Sequence, residues 1–177
     1  MMIKTTTIET PLGEMTAAAT GEGICLLEFT DRRIINSELE ELAWIFNAPV
    51  RQGSNRHLRA LKKQIKEYFK GKRKEFSLSL ITPGTDFQKS VWDIIRKIPY
   101  GTTISYLQQA KKINNPGAVR AVAGANGSNR IAIIIPCHRV IGSDGSLIGY
   151  GGGIEKKKWL LEHEKKYSGR PVDGTLF

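Results

Sequence analysis

Ile131-Ala132-Ile133-Ile134-Ile135-Pro136-Cys137-His138-Arg139-Val140 is the stretch on which the reading of this chain turns. Five apolar residues run into a proline, which cannot donate to a ladder and stops regular structure. A thiol, an imidazole and a guanidinium follow side by side, where the backbone must leave the interior. The nucleophilic form of cysteine is the thiolate, and it needs a base or positive charge nearby to persist at neutral pH. A Cys-His pair taken alone is more often a buried thiol beside a surface imidazole, because cysteine is among the most buried residue types. The surrounding sequence decides between the two readings.

Upstream of this stretch the chain reads as helical. Phe87, Val91, Trp92, Ile95 and Ile98 form one apolar stripe, which predicts a helix over residues 86–98. Pro99-Tyr100-Gly101 breaks it. Thr103 is a candidate cap for a second helix bearing Ile104, Leu107 and Ala110. Asn115 and Pro116 are the candidate cap and first residue of a third helix, running roughly over 117–126. Two short helices about a tight turn, after a longer one, suggest a helix-turn-helix. Ala118, Ala121, Ala123, Gly124 and Ala125 make the third helix thin, and Arg120 is its one large cation. Such a helix can lie in a DNA groove, or can pack closely on another helix with Arg120 exposed. Downstream, residues 142–153 form a glycine-rich loop, and residues 155–165 a final helix carrying Trp159, Leu160 and Leu161 inward.

The first third reads differently. Residues 5–8 and 15–18 flank a Pro11-Leu12-Gly13 turn, and a third apolar run spans 24–29, so an antiparallel meander is predicted. Helices are expected over 34–46 and from Leu58 to Phe69, with Gly71 as the stop of the second. Phe76, Leu78 and Leu80 alternate as a short strand. Thr82-Pro83-Gly84 marks the boundary, giving domains of residues 1–82 and 83–177.

The 177 residues carry 27 Lys+Arg against 17 Asp+Glu, a formal net charge of +10. The excess is uneven: 13 against 10 through Ile81, then 14 against 7. That balance suggests a polyanionic partner, most simply nucleic acid. No run approaches the ~20 apolar residues that span a bilayer, so no membrane association is expected. The N-terminus shows no export signal, which points to a cytoplasmic chain (nucleoid-associated in a prokaryote, nuclear in a eukaryote). Two thiols, Cys25 in an apolar stretch and Cys137, are then expected to stay reduced. His57, His138 and His163 with two distant cysteines offer no zinc spacing, so neither metal nor other cofactor is implied.

Several separate motifs carry a family resemblance through nearly the whole second half. They are Phe87-Gln88 with Val91-Trp92, Ile98 to Tyr106, Arg120-Ala121-Val122, Asn129, Pro136 to Val140, Gly149-Tyr150, and Trp159 to Glu164. In this order and spacing the chain resembles the O6-alkylguanine-DNA alkyltransferases, the methylated-DNA–protein-cysteine methyltransferases. The resemblance implies an α+β protein: a small ribonuclease-H-like N-terminal α/β domain, then a mostly helical domain with a helix-turn-helix.

It implies irreversible, stoichiometric transfer of a methyl or other small alkyl group from O6-alkylguanine, and from O4-alkylthymine, to Cys137. His138 would act on the thiol through a water, with Glu164 orienting the imidazole. Tyr106 would hydrogen-bond the base at N3. Backbone groups of Cys137 and Val140 would accept from the exocyclic amine, and the Tyr150-Gly151 segment would face O6. Double-stranded DNA would be bound through the minor groove by a monomer, with Ala121 and Gly124 on the inserted helix and the damaged base flipped out. Arg120 would fill the vacated place, and Asn129 would tie the helix pair to the cysteine segment. Binding would be largely indifferent to sequence and sensitive to salt. The competing readings are a non-catalytic binder of alkylated bases, a Cys-His hydrolase, and a transcription regulator using the helix-turn-helix alone.

Overall fold

The structure is a computed structural model that describes residues 1–169. Residues 170–177, placed in the second domain by the sequence, lie outside the described ones. The chain divides into two compact units, Met1–Pro83 and a second from Gly84 onward.

In the first unit, β1 (Ile3–Thr10), β2 (Gly13–Ala19) and β3 (Ile24–Phe29) form the expected antiparallel meander. A fourth strand, β4 (Val50–Gln52), adds to β1 in parallel, giving the order β3-β2-β1-β4. Every residue from Met15 to Ala19 and from Ile24 to Phe29 is buried, so both faces of these strands are covered. The cover comes from α1 (Ile35–Ile45) and α2 (Arg56–Phe69). Helix α1 contributes Leu42 to a cluster with Ile3, Ala18, Cys25, Leu26 and Ala48. Helix α2 buries Leu58, Leu61, Ile65 and Tyr68, at the helical spacing read from the sequence. Burial of each such side chain contributes about 1.5–3 kcal/mol. The expected strand at Phe76 to Leu80 does not form. That segment meets β3 at one bridge, Ile24 to Leu80, and no ladder extends from it.

The second unit opens with α3 (Asp86–Arg96), capped by Thr85 and Gln88 in a reciprocal box. Val91, Trp92 and Ile95 face inward, and the Trp92 indole donates to the Ala125 carbonyl at 2.8 Å. Next comes β5 (Ile104–Ser105), then α4 (Tyr106–Lys112). The cap of α4 is Ser105, not Thr103 as the sequence suggested, because Ser105 and Gln108 complete a capping box that Thr103 lacks. Ile104 is not helical; it pairs in parallel with Val140 of β6 (Val140–Ile141).

Helix α5 (Val119–Gly127) starts later than expected. Asn115-Pro116-Gly117-Ala118 closes instead as a turn, with the Ala118 N–H on the Asn115 carbonyl at 3.0 Å. Proline and glycine at the two central positions favour that turn over a helical start. The final helix, α6 (Ile154–Tyr167), buries Leu160 and Leu161 and leaves Trp159 half-buried, stacked on His163.

Candidate active site

The apolar run before Cys137 is a compact turn rather than an extended segment. Ile134 donates to Ala132 and Ile135 to Ile131, at 2.8 and 3.0 Å. Ile133 sits at φ 71°, in the left-handed region. For a β-branched residue that conformation costs on the order of 1–3 kcal/mol, and it persists only where the surroundings over-determine it. Here they do. Ile131, Ala132, Ile133 and Ile135 are all buried, and Asn129 braces the turn from inside. Its carbonyl oxygen accepts from the Ile131 N–H at 2.9 Å. Its amide donates to the Ile135 carbonyl at 2.8 Å and lies 3.4 Å from the Cys137 sulfur. Asn129, expected to tie the helix pair to the cysteine segment, is buried and bonded to both ends of this turn, with its amide against the thiol.

Cys137 to Arg139 form a single 3-10 turn that leaves Cys137 half-buried and aims His138 and Arg139 inward. Both meet Glu164, which α6 delivers from 25 residues beyond Arg139. The His138 Nε2 lies 2.7 Å from Glu164 Oε1. Arg139 donates to both carboxylate oxygens, at 2.8 and 2.9 Å, and with its remaining nitrogen to the Ile98 carbonyl at 2.7 Å. The Gly101 N–H adds a 3.3 Å contact to Oε2.

Burial alone would push the Glu164 carboxyl up, but His138 and the charged Arg139 beside it hold it well below the ordinary carboxylate range. Burial pushes the His138 imidazole down, against the pull of Glu164. The resting state is then a carboxylate paired with Arg139 and a neutral imidazole. A carboxylate only accepts, so Nε2 carries the ring proton and Nδ1 keeps its lone pair. Nδ1 is buried and has no hydrogen-bond partner among the described residues. Such an arrangement can act as a base, with its tautomer fixed by Glu164.

Tyr106, at the start of α4, is 6 % exposed, and its hydroxyl reaches the Ile148 and Gly149 carbonyls at 2.9 and 3.2 Å. Burial, with Cys137 as a lesser cause, pushes the phenol up to about 12, so it stays a proton donor. Gly149 is at φ 66°, and a Cβ there would stand 3.0 Å from the Tyr106 hydroxyl. Val140 is fully buried in β6, Tyr150 is half-buried, and Gly151 is exposed in the loop.

The sequence reading missed Lys157. This α6 residue is fully buried, and its ammonium donates to the Val140 carbonyl and, at 2.8 Å, to the Ile148 carbonyl. It thereby joins the cysteine segment to the glycine-rich loop. It also lies 5.6 Å from the centre of the Tyr106 ring. Burial lowers it to about 8, with Cys137 acting in the opposite direction. A lysine amid Glu155-Lys156-Lys157-Lys158 looks like a solvated charge run, and only its place three residues before Leu160 hints at an inward face.

The structure brings Cys137, His138, Glu164, Tyr106, Val140 and Asn129 into one region built by the cysteine turn, α4, β6 and α6. Arg120, Ala121 and Gly124 are placed elsewhere, on the exposed face of α5 with Ala123 and Gly127. The opposite face, with Val122, Ala125 and Asn126, is buried. No group of three or more metal-ligating side chains occurs among the described residues.

Residues 3–82 match the family model described as 6-O-methylguanine DNA methyltransferase, ribonuclease-like domain, and residues 86–166 match that family's DNA-binding domain. A methylated-DNA–protein-cysteine methyltransferase of Mycobacterium bovis is 44% identical over 176 residues, 99% of each chain. The crystal structure of Mycobacterium tuberculosis O6-methylguanine methyltransferase superposes with a TM-score of 0.81 at 41% identity, covering 97% of both chains. A crystal structure of Mycobacterium tuberculosis OGT in complex with DNA gives 0.79 at 41% identity, covering 100% of this chain and 99% of that one.

Proposed function

Because the chain belongs to the O6-methylguanine DNA methyltransferase family, a family of alkyl-transferring DNA-repair proteins, we propose that Cys137 is its alkyl acceptor, served by His138, Glu164 and Tyr106. The protein binds DNA and repairs it by moving an alkyl group onto a cysteine of its own. Neither the hydrolase nor the non-catalytic reading is favoured, since the relatives are cysteine methyltransferases and the thiol is in place.

The observation that carries the residue assignment is the relay ending at Nδ1 of His138. Glu164 fixes the tautomer, so Nδ1 takes the thiol proton through an intervening water. The Cys137 thiolate attacks the alkyl carbon of O6-alkylguanine, or of O4-alkylthymine, in line. The S–C bond forms as the C–O6 bond breaks, and the bonding pair passes into the guanine ring system. Tyr106, which now donates to the loop carbonyls, donates instead to N3 and offsets the developing negative charge. The Val140 and Cys137 carbonyls receive the exocyclic amine, and the Tyr150-Gly151 backbone faces O6. The thioether product has no leaving group that water or His138 can expel, so each molecule reacts once.

The target carbon lies within the duplex stack, so the nucleotide is extruded at a cost of about a few kcal/mol. Helices α4 and α5 act as the helix-turn-helix. The small-residue face of α5 lies in the minor groove, and Arg120 takes the vacated position in the stack. The protein works as a monomer in the compartment that holds the DNA.

Intact-protein mass spectrometry after mixing with an oligonucleotide bearing O6-methylguanine tests this reading. The expected product is a chain heavier by one methylene, with the label on the peptide holding Cys137. Cys137→Ser should remain unmodified while still shifting the oligonucleotide in a gel. Transfer by that variant would refute the assignment of the acceptor.

A further inference from the structure

Between α4 and α5 lies a pair of buried amides that the mechanism does not use. Gln109 is 0 % and Asn126 4 % exposed. Each donates to the other: Gln109 Nε2 to Asn126 Oδ1 at 2.9 Å, and Asn126 Nδ2 to Gln109 Oε1 at 2.8 Å. Gln109 also contacts the Val91 carbonyl of α3 at 3.5 Å. Gln109 sits one turn beyond Tyr106 on the same buried face of α4. Asn126 sits on the face of α5 opposite Arg120. The clasp therefore connects the helix that carries the proton donor to the helix that carries the arginine.

We infer that Gln109 and Asn126 are positioning residues that fix the register of α5 against α4, and so aim Arg120 at the duplex. The inference rests on the groove role of α5 proposed above. Helix packing sets register by interlocking ridges of side chains. The inward face of α5 offers Val122 and Ala125, and the facing side of α4 offers Ala110, so the ridges are shallow. An interface of this kind tolerates sliding or rotation. A reciprocal amide pair does not, because any other register leaves buried donors and acceptors unpaired. A single polar contact inside an apolar helix interface is the best-attested device for specifying register, at some expense of stability. A slip of one residue moves the axis by about 1.5 Å. Misplacement of about 1 Å can slow a positioned reaction roughly a hundredfold.

The test uses the full chain and compares two substrates: an oligonucleotide duplex containing O6-methylguanine, and O6-methylguanine as the isolated base. Duplex affinity and thermal melting are measured beside the transfer rates. Gln109→Met with Asn126→Leu replaces the clasp by apolar side chains of similar volume. This double variant is expected to melt at or above the parent temperature and to react with the isolated base at the parent rate. It should lose about tenfold to a hundredfold on the duplex, with weaker duplex binding. The exchanged pair, Gln109→Asn with Asn126→Gln, keeps both hydrogen bonds and should recover duplex repair relative to the apolar pair. Parent-like duplex repair by the apolar pair would overturn the inference. So would an exchanged pair no better than the apolar one, or an equal loss on both substrates. Arg120→Ala serves as the separate control. If it leaves duplex repair intact, the groove reading of α5 fails, whatever the clasp variants do.

Discussion

At the scale of single residues, Glu164 holds the site together. It accepts four hydrogen bonds from three residues while buried, which is why it stays ionised with so little water around it. Glu164→Gln keeps the shape but leaves the Arg139 cation without a counter-charge. Breaking a buried pair in this way costs about 3–5 kcal/mol. The variant should show that loss by denaturant titration. It should also transfer methyl groups more slowly at a pH where it remains folded, because an amide can donate or accept at Nε2 and no longer fixes the ring in one tautomer. Lys157→Met removes a cation that lies close enough to Cys137 to interact with it electrostatically. It also removes the donor shared by the Val140 and Ile148 carbonyls. Its iodoacetamide alkylation profile should move to higher pH, since the thiolate loses a favourable charge. An unmoved profile would reduce Lys157 to a packing role.

At the scale of elements, the loop between β6 and α6 is held by Tyr106 and Lys157 acting on the same Ile148 carbonyl. Gly149→Ala places a methyl group 3.0 Å from the Tyr106 hydroxyl, on a backbone that alanine rarely adopts. The expected result is slower transfer to Cys137 on both duplex and isolated base, with melting lowered by strain of about 1 kcal/mol and duplex binding unchanged. The lesion is then local to the donor rather than to DNA binding.

Legibility in the sequence also divides by element. Stripes such as Val91, Trp92 and Ile95, or Leu58, Leu61 and Ile65, announce α3 and α2 because one face of each meets a single core. Boundaries set by competition between local signals were read less well. Thr103 has the chemistry of a cap but Ser105 supplies the full box, and Pro116-Gly117 suits a helical start but closes as a turn on Asn115. The apolar run before Cys137 carries no local turn signal, yet it folds as a turn. Only long-range bonds from Asn129 and the packing around Ile133 decide that outcome. Strand β4 carries three residues with no periodic pattern, so nothing local marks it. Cys137, His138, Glu164 and Tyr106 were legible through a family resemblance. Lys157 was not, because its burial depends on where α6 docks.

At the scale of the molecule, the first of the two units carries a pH dependence of its own. There Glu28 is buried beside Arg32 at 2.7 Å, and burial, helped by the Glu38 carboxylate, outweighs that partner and raises the carboxyl from 4.5 to about 7. A carboxyl with a raised folded value binds its proton more tightly when native. Stability is therefore greatest below the ordinary value and falls as pH rises toward about 7. The cost at higher pH is on the order of 3 kcal/mol at most. Urea unfolding of the parent should show the first unit weaker at about pH 8 than at about pH 5, and Glu28→Gln should flatten that difference. An unchanged difference would assign it to other groups.

The contrast between the two sulfurs has a practical corollary. Cys25 is sealed at 1 % exposure inside the sheet's core, whereas Cys137 is only half-buried in its turn. A native chain offers a reagent one addressable sulfhydryl and a denatured chain offers two. Staining one portion of a preparation as it stands and another after denaturation thus separates how many molecules are still unspent from how many have lost their architecture.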